Sequence, residues 1–133
     1  MVDSAAVAAK LRLYFGTPGG DVVHAVQLYT DDAVLEFPQS GERYEGRETF
    51  TKWRSAYPTD VAFEVLRVTI RDDLAVVEIS ASYGGGASMF GVSLLEFDGE
   101  LICRERIYLG EGWEPPPWRA HLLADRPAES PGW

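Results

Sequence analysis

The chain has 133 residues, 46% of them hydrophobic, and a formal net charge of −9 from 21 acidic and 12 basic side chains. This length fits one domain, and the acidic balance repels phosphate backbones and anionic membranes, so we expect neither as a partner. A lone cysteine excludes an internal disulfide, and without a signal peptide or a long apolar run the expected location is cytoplasmic.

The first half of the chain predicts three helices, with a short hairpin between the second and the third. Asp3 or Ser4 can cap the first helix through a side-chain oxygen, and Val7 and Leu11 mark its buried side at helical spacing. The predicted elements are helices at about Ser4 to Phe15, Val22 to Tyr29, and Arg47 or Glu48 to Ala56, a turn at Thr30 to Asp32, and strands at Ala33 to Phe37 and Arg43 to Gly46.

The second half predicts a meander, because short links join antiparallel neighbours. Asp98-Gly99 indicates a hairpin, since that turn needs a positive φ. The predicted strands are Val61 to Arg71, Leu74 to Gly84, Ser88 to Phe97 and Glu100 to Leu109, and Trp118 to Leu123 is predicted to form one or two helical turns. Helices followed by a meander define an α+β fold.

The last strand has an apolar face and a mixed face, because alternate residues point to opposite sides. The apolar face holds Leu101, Cys103, Glu105 and Ile107, and the mixed face holds Ile102, Arg104, Arg106 and Tyr108. Two arrangements fit this pattern. Either the mixed face lies in water and the apolar face packs under the helices, or the mixed face lines a cavity and the apolar face meets a second copy.

Two segments, Val22 to Trp53 and Gly99 to Ala120, resemble the nuclear-transport-factor-2-like superfamily, and within it the polyketide-cyclase-like (SnoaL-like) group. The cues are the sequences LYTDDAVLEFP, GRETF and ERIYLGEGW. The resemblance implies a cone of three N-terminal helices packed on a strongly curved antiparallel sheet whose concave face lines a pocket. We expect one such domain at residues 1–124 and a flexible tail at 125–133. Members include isomerases, cyclases, hydrolases and pure binding modules, so the fold alone does not give an activity.

A ketosteroid isomerase activity is not expected. Against the pattern of those enzymes, Phe37 stands where the catalytic aspartate would be, and Ser93 stands near the hydrogen-bond-donating acid. Tyr14 can keep the phenol donor.

The same comparison turns the mixed faces toward the pocket. Glu78 is then a candidate general base, with Arg104, Arg106 and Tyr14 stabilising an oxyanion, and His24 is a second candidate acid or base. Alternatively, Glu78 and the arginines neutralise each other and support the fold. The remaining pocket candidates are Phe37, Trp53, Tyr57, Ser80, Ser93 and Tyr108.

Two functions remain open at this point. One is an enzyme of proton transfer, cyclisation or hydration that acts on a small apolar, oxygen-bearing molecule. The other is a non-catalytic ligand-binding or interaction domain with the same cavity. We expect no metal and no cofactor, and a homodimer through the convex sheet face.

Overall fold

The computed structural model describes residues 3–15, 26–56 and 61–125. The helices are α1 (Ser4–Phe15), α2 (Arg47–Ser55) and α3 (Pro117–Ala120), and the strands are β1 (Tyr29–Phe37), β2 (Glu42–Glu45), β3 (Val61–Arg71), β4 (Leu74–Tyr83), β5 (Ser88–Asp98) and β6 (Leu101–Glu111). None of the helices in these ranges is long and apolar enough to cross a membrane.

The six strands form one sheet in the order β2-β1-β6-β5-β4-β3. The α+β class is confirmed, and the four meander strands pair antiparallel as predicted. A wholly antiparallel sheet is wrong at one place, because β1 and β6 run parallel. The last strand of the meander returns beside the first strand of the chain in the same direction, so β6 lies in the middle of the sheet between β1 and β5.

Helices α1 and α2 lie where the sequence predicts them, and Asp3 caps α1 by accepting a hydrogen bond from the backbone N–H of Ala6 at 3.2 Å. The predicted second helix falls mostly outside the described residues, so three N-terminal helices are not confirmed. Its end is wrong, because Tyr29 already belongs to β1, and so is the turn at Thr30 to Asp32. The pairing of β1 slips in register between Tyr29 and Val34. Asp31 and Asp32 favour a turn, but Tyr29 just before them is buried, and the strand continues through both aspartates.

The core lies on one face of the sheet, which we call the inner face, and α1 and α2 pack on it. From the helices come Val7, Leu11 and Phe50, and from the strands Ala33, Leu35, Ala75, Val77, Ile79, Leu95, Ile102 and Ile107. The other face, the outer face, carries the alternate residues of each strand. The apolar side of the sheet is therefore covered by the chain's own helices and is not the exposed partner surface of the second arrangement.

The β5–β6 hairpin turns at Asp98-Gly99 as predicted, with Gly99 at φ +64°. Past this turn the register shifts: Phe97 pairs with Ile102, but Glu96 pairs with Arg104, so Cys103 is an extra residue in β6. This β-bulge breaks strict alternation. As a result Ile102 and Glu105 both point inward, and Arg104 points outward.

Candidate functional site

A buried polar network lies on the inner face at the centre of the sheet. Its members are Glu105 on β6, Tyr29 on β1 and Ser93 on β5, and none is more than 1% exposed. The Ser93 hydroxyl donates a hydrogen bond to Glu105 Oε2 at 2.6 Å. The Tyr29 hydroxyl donates to Glu105 Oε1. Each carboxylate oxygen therefore has one neutral hydroxyl partner.

Sheet topology brings these three side chains together. Strand β6 lies between β1 and β5, so a β6 side chain on the inner face has neighbours on both sides. Glu105 pairs with Leu35 on one side and with Leu95 on the other, while Ser93 pairs with Ile107 one step along. The ring of Tyr29 packs edge-on against Phe50 of α2, with 5.1 Å between centroids and 77° between planes, which fixes the direction of its hydroxyl.

The electrostatics of the network are those of a carboxylate in an apolar setting. Within the described ranges, Ser93 and Glu105 are the two buried polar or charged side chains, and no lysine or arginine there forms an ion pair with Glu105. Burial, followed by the charge and the hydrogen bond of Glu105, raises the pKa of Tyr29 well above its ordinary value. Tyr29 therefore keeps its proton at neutral pH and acts as a donor.

A carboxylate offers about four acceptor sites, and two are used by these hydroxyls. The remaining capacity suits it to accept a proton or a further hydrogen bond. No three His, Cys, Asp or Glu side chains in the described part of the chain are grouped so as to hold a metal ion.

An aromatic cluster lies on the same face, toward the end of β1. Phe37 and Tyr44 of β1 and β2 each lie 5.9 Å from the Trp53 ring of α2, centroid to centroid, and 6.3 Å from each other. Phe37 and Trp53 are both among the predicted ligand-binding residues, and their rings are in contact in this cluster. Other partly buried apolar side chains pack against the core at Phe63, Val65, Val68, Ile70 and Leu109.

The predicted cluster of Glu78 with Arg104 or Arg106 does not form. All three lie on the outer face, and β5 separates β4 from β6, so they are not on neighbouring strands. Glu78 instead faces Arg67 of β3 at 4.0 Å. The inward orientation predicted for these side chains is wrong, because the core buries the opposite faces of the two strands, with Ile79 of β4 and Ile107 of β6.

Arg104 is engaged in an outer-face ion-pair group. Its Nε and Nη2 atoms donate to Glu36 Oε1 at 2.8 and 2.6 Å, and Glu96 lies 3.8 Å from its Nε. The hydrogen bond from Arg104 is the largest of the effects that lower the pKa of Glu36. These charges hold β1, β6 and β5 together on the side of the sheet away from the core.

The remaining predicted site residues lie on the outer face, in the buried network or outside the described residues. Tyr108 is 42% exposed on the outer face, and Ser80 lies half-buried there. Ser93 belongs to the buried network. His24, Tyr57 and the side chain of Tyr14 lie outside the described residues.

Sequence reasoning missed Glu105 and Tyr29 as site members. The available signal was a single charge, Glu105, in the middle of an otherwise apolar face made by Cys103 and Ile107. Because a charge is tolerated in such a place only with polar partners, it marks a buried network rather than a solvent-facing position.

The fold and the network together define a mixed-sheet α+β domain with a carboxylate held under its helices. A family model described as a SnoaL-like domain matches residues 12–105. The chain therefore belongs to the SnoaL-like family, as the sequence resemblance predicted.

Solved structures agree with this assignment. An NTF2-like protein of unknown function from Burkholderia xenovorans is 30% identical, with 93% of this chain and 98% of that chain covered and a TM-score of 0.82. A candidate ketosteroid isomerase from Kribbella flavida is 31% identical, with 93% and 90% covered and a TM-score of 0.79. An LEH-like epoxide hydrolase from M. tuberculosis, 20% identical with 79% and 80% covered and a TM-score of 0.63, shares the fold. A comparison with curated proteins finds no match.

Proposed function

We propose that this protein binds a small, mainly apolar, oxygen-bearing molecule against the inner face of its sheet and that Glu105 transfers a proton on it. The observation that carries the proposal is the position of Glu105, a buried carboxylate held between the hydroxyls of Tyr29 and Ser93. Buried charges are costly to maintain for stability alone.

The chemistry follows from the neighbours of the carboxylate. Glu105 is the candidate base, which takes a proton from an acidic carbon or from a water molecule. Tyr29 and Ser93 orient it with neutral hydrogen bonds, so its negative charge is not cancelled by a cation. The apolar core residues around the buried carboxylate exclude water, which strengthens electrostatic effects. The relatives named above as a candidate ketosteroid isomerase and an epoxide hydrolase support a reaction of this class, by analogy of fold.

A specific observation also favours a second function, ligand binding without catalysis. Glu105 has no exposed surface, and both of its oxygens already accept a hydrogen bond. In this arrangement the carboxylate touches no ligand unless the network opens. The aromatic cluster of Phe37, Tyr44 and Trp53 would then form a binding surface by itself.

Two measurements separate these functions. The first is a thermal-shift screen of the purified protein with steroids, polyketides and aromatic acids, because a molecule that binds the native state raises Tm. The second is NMR in D2O with a ligand found in this way, which follows exchange of its carbon-bound protons with no need to know the product. A base within reach accelerates exchange by about 10²–10⁴-fold.

The matched variants are Glu105→Gln and Glu78→Gln. If the proposal holds, E105Q still binds the ligand and loses proton exchange, whereas E78Q, which changes an outer-face carboxylate, keeps both. Exchange that persists undiminished in E105Q would rule out Glu105 as the base. Binding with no exchange in the unaltered protein would establish the second function instead.

We also propose that the protein is a homodimer through its outer face. Phe90 and Tyr108 are large side chains that remain 52% and 42% exposed there. Apolar groups left in water on one face of a sheet are typical of a surface that meets another protein. Sedimentation velocity of the full chain tests the proposal directly, with a dimer as the expected species.

A further inference from the structure

The segment that follows β6 is almost entirely exposed although it is rich in large apolar side chains. We call residues 112–125 the C-terminal arm. Trp113 and Trp118 are 79% and 72% exposed, and Leu122 and Leu123 are 72% and 63% exposed. Helix α3 within the arm has no buried residue. A chain does not normally leave four such side chains in water.

The arm starts beside the outer face. A Cβ placed on Gly112 would lie 3.2 Å from the ring of Phe90, so the first residue of the arm touches the exposed aromatic patch formed by Phe90 and Tyr108. Pro116 has φ −59° and ψ 142°, the polyproline conformation. Pro116 therefore leads into α3 through an extended, stiff backbone, and Trp118 is the second residue of that short helix.

The area matches what a dimer needs. Two tryptophans with about three quarters of their surface exposed, together with two mostly exposed leucines, present on the order of 400–500 Å². A stable interface buries roughly 800 Å² on each partner. The arm together with Phe90 and Tyr108 approaches this value, and a stiff arm loses little conformational freedom on docking.

The charges are also complementary. Arg106 is a half-buried outer-face cation with a buried Nε that has no hydrogen-bond partner, and its charge acts on Glu36, its neighbour in β1. Its strand neighbour is the exposed Tyr108. The arm carries Glu114 next to Trp113, so an arm laid across this face would bring an acidic group to an arginine whose Nε lacks a hydrogen-bond partner.

We infer that the arm of each copy packs on the outer face of a second copy, in a reciprocal exchange that rests on the proposed homodimer. Trp113 and Trp118 cover the Phe90 and Tyr108 patch of the partner, and Glu114 approaches the partner's outer-face arginine. A two-fold dimer makes this contact twice. The occupant of the arm's apolar side is thus a second molecule of the same chain.

The first test compares the full chain with a Trp113→Ser/Trp118→Ser variant by sedimentation velocity from about 1 to 100 µM. Central tryptophans dominate interfaces, so we expect the dimer Kd to rise at least ~100-fold while Tm of the monomer stays unchanged, since neither side chain is buried. A variant that dimerises as well as the full chain would refute the packing of the arm on the partner, but not the proposed dimer through the outer face. A full chain that stays monomeric overturns both.

The second test asks whose face the arm covers. The arm variant is mixed with Phe90→Ser, and association is followed by fluorescence energy transfer between two labels. In the mixed dimer an intact arm meets an intact face, so we expect tighter association than either variant shows alone. If the arm packs on the sheet of its own molecule, the mixed variants associate no more tightly than each variant alone, and the reciprocal exchange is refuted. Leu101→Ser, at the far end of the sheet, is the control for loss of an exposed apolar side chain.

Discussion

Replacing Glu105 by alanine removes the acceptor of two buried hydroxyls and measures what the network contributes to the fold. Hydrogen bonds to a charged group contribute about 1.5–3 kcal/mol each, and two are lost. Part of this is offset because a carboxylate no longer has to be desolvated. We therefore expect E105A to lower the free energy of unfolding by about 2–4 kcal/mol.

Glutamine at the same position gives the matched comparison. Its carbonyl oxygen still accepts from Tyr29, and its amide can donate to the Ser93 hydroxyl, so E105Q should cost about 1 kcal/mol or less. Urea unfolding followed by circular dichroism measures both variants, and Glu78→Ala on the outer face is the control. Equal losses in E105A and E105Q, or no loss in E105A, would refute a hydrogen-bonded role for the carboxylate.

Two further predictions concern the backbone and the outer face. Gly91→Ala should destabilise the protein by about 1–3 kcal/mol or more, because a Cβ there would lie 2.2 Å from a β6 carbonyl oxygen, whereas Gly110→Ala, with no atom within 4 Å, should be nearly neutral in the same urea assay. The lowered pKa of Glu36 stabilises the fold above the unfolded-state pKa, near 4.5, and this contribution is lost as pH falls through the lower folded-state pKa. Glu36→Gln should therefore lower Tm at pH 6 and have a diminishing effect toward pH 3; an effect constant with pH would contradict the ion pair with Arg104.

The parts of the fold that were predictable are those set by local pattern. Strand β3 and helix α1 have the predicted bounds, and Asp98-Gly99 makes the predicted hairpin. In β4 the alternation of Val77, Ile79 and Ala81 with Glu78 and Ser80 gives the buried face directly. Such patterns depend on neighbouring residues and on one regular repeat, so the sequence alone contains them.

The candidate site was not predictable because it depends on two long-range features. One is the parallel pairing of β1 with β6, which brings Tyr29 next to a residue 76 positions later. The other is the bulge at Cys103, which no local signal announces. The bulge lets Ile102 and Glu105 share the inner face, whereas strict alternation along the whole strand would place only one of them there.

Deletion of Cys103 tests whether this residue is the extra residue of β6 that allows Ile102 and Glu105 to share the inner face. Phe97 already pairs with Ile102, and Glu96 with Arg104, so without Cys103 the ladder becomes regular while Ile102 and Glu105 stay inward. The deletion removes the local twist that a bulge supplies. It also shortens β6 between Ile102 and Arg104, which pair with Tyr29 and Val34 of β1. We expect a folded protein that has lost about 1–3 kcal/mol, within the range typical of a single change.

Deletion of Arg106 is the control, because it removes one residue from the regular part of the same strand. Ile107 would then follow Glu105 directly and turn outward, together with the side chains beyond it. Exposing Ile107 and Leu109 while turning Tyr108 inward should cost more than about 4 kcal/mol, a large part of the roughly 5–15 kcal/mol by which domains of this kind are stable. Circular dichroism shows whether each deletion variant is folded, and urea unfolding measures how much stability each has lost. If the Arg106 deletion is folded and the Cys103 deletion is not, the extra residue of β6 lies elsewhere and Glu105 owes its inward position to another cause.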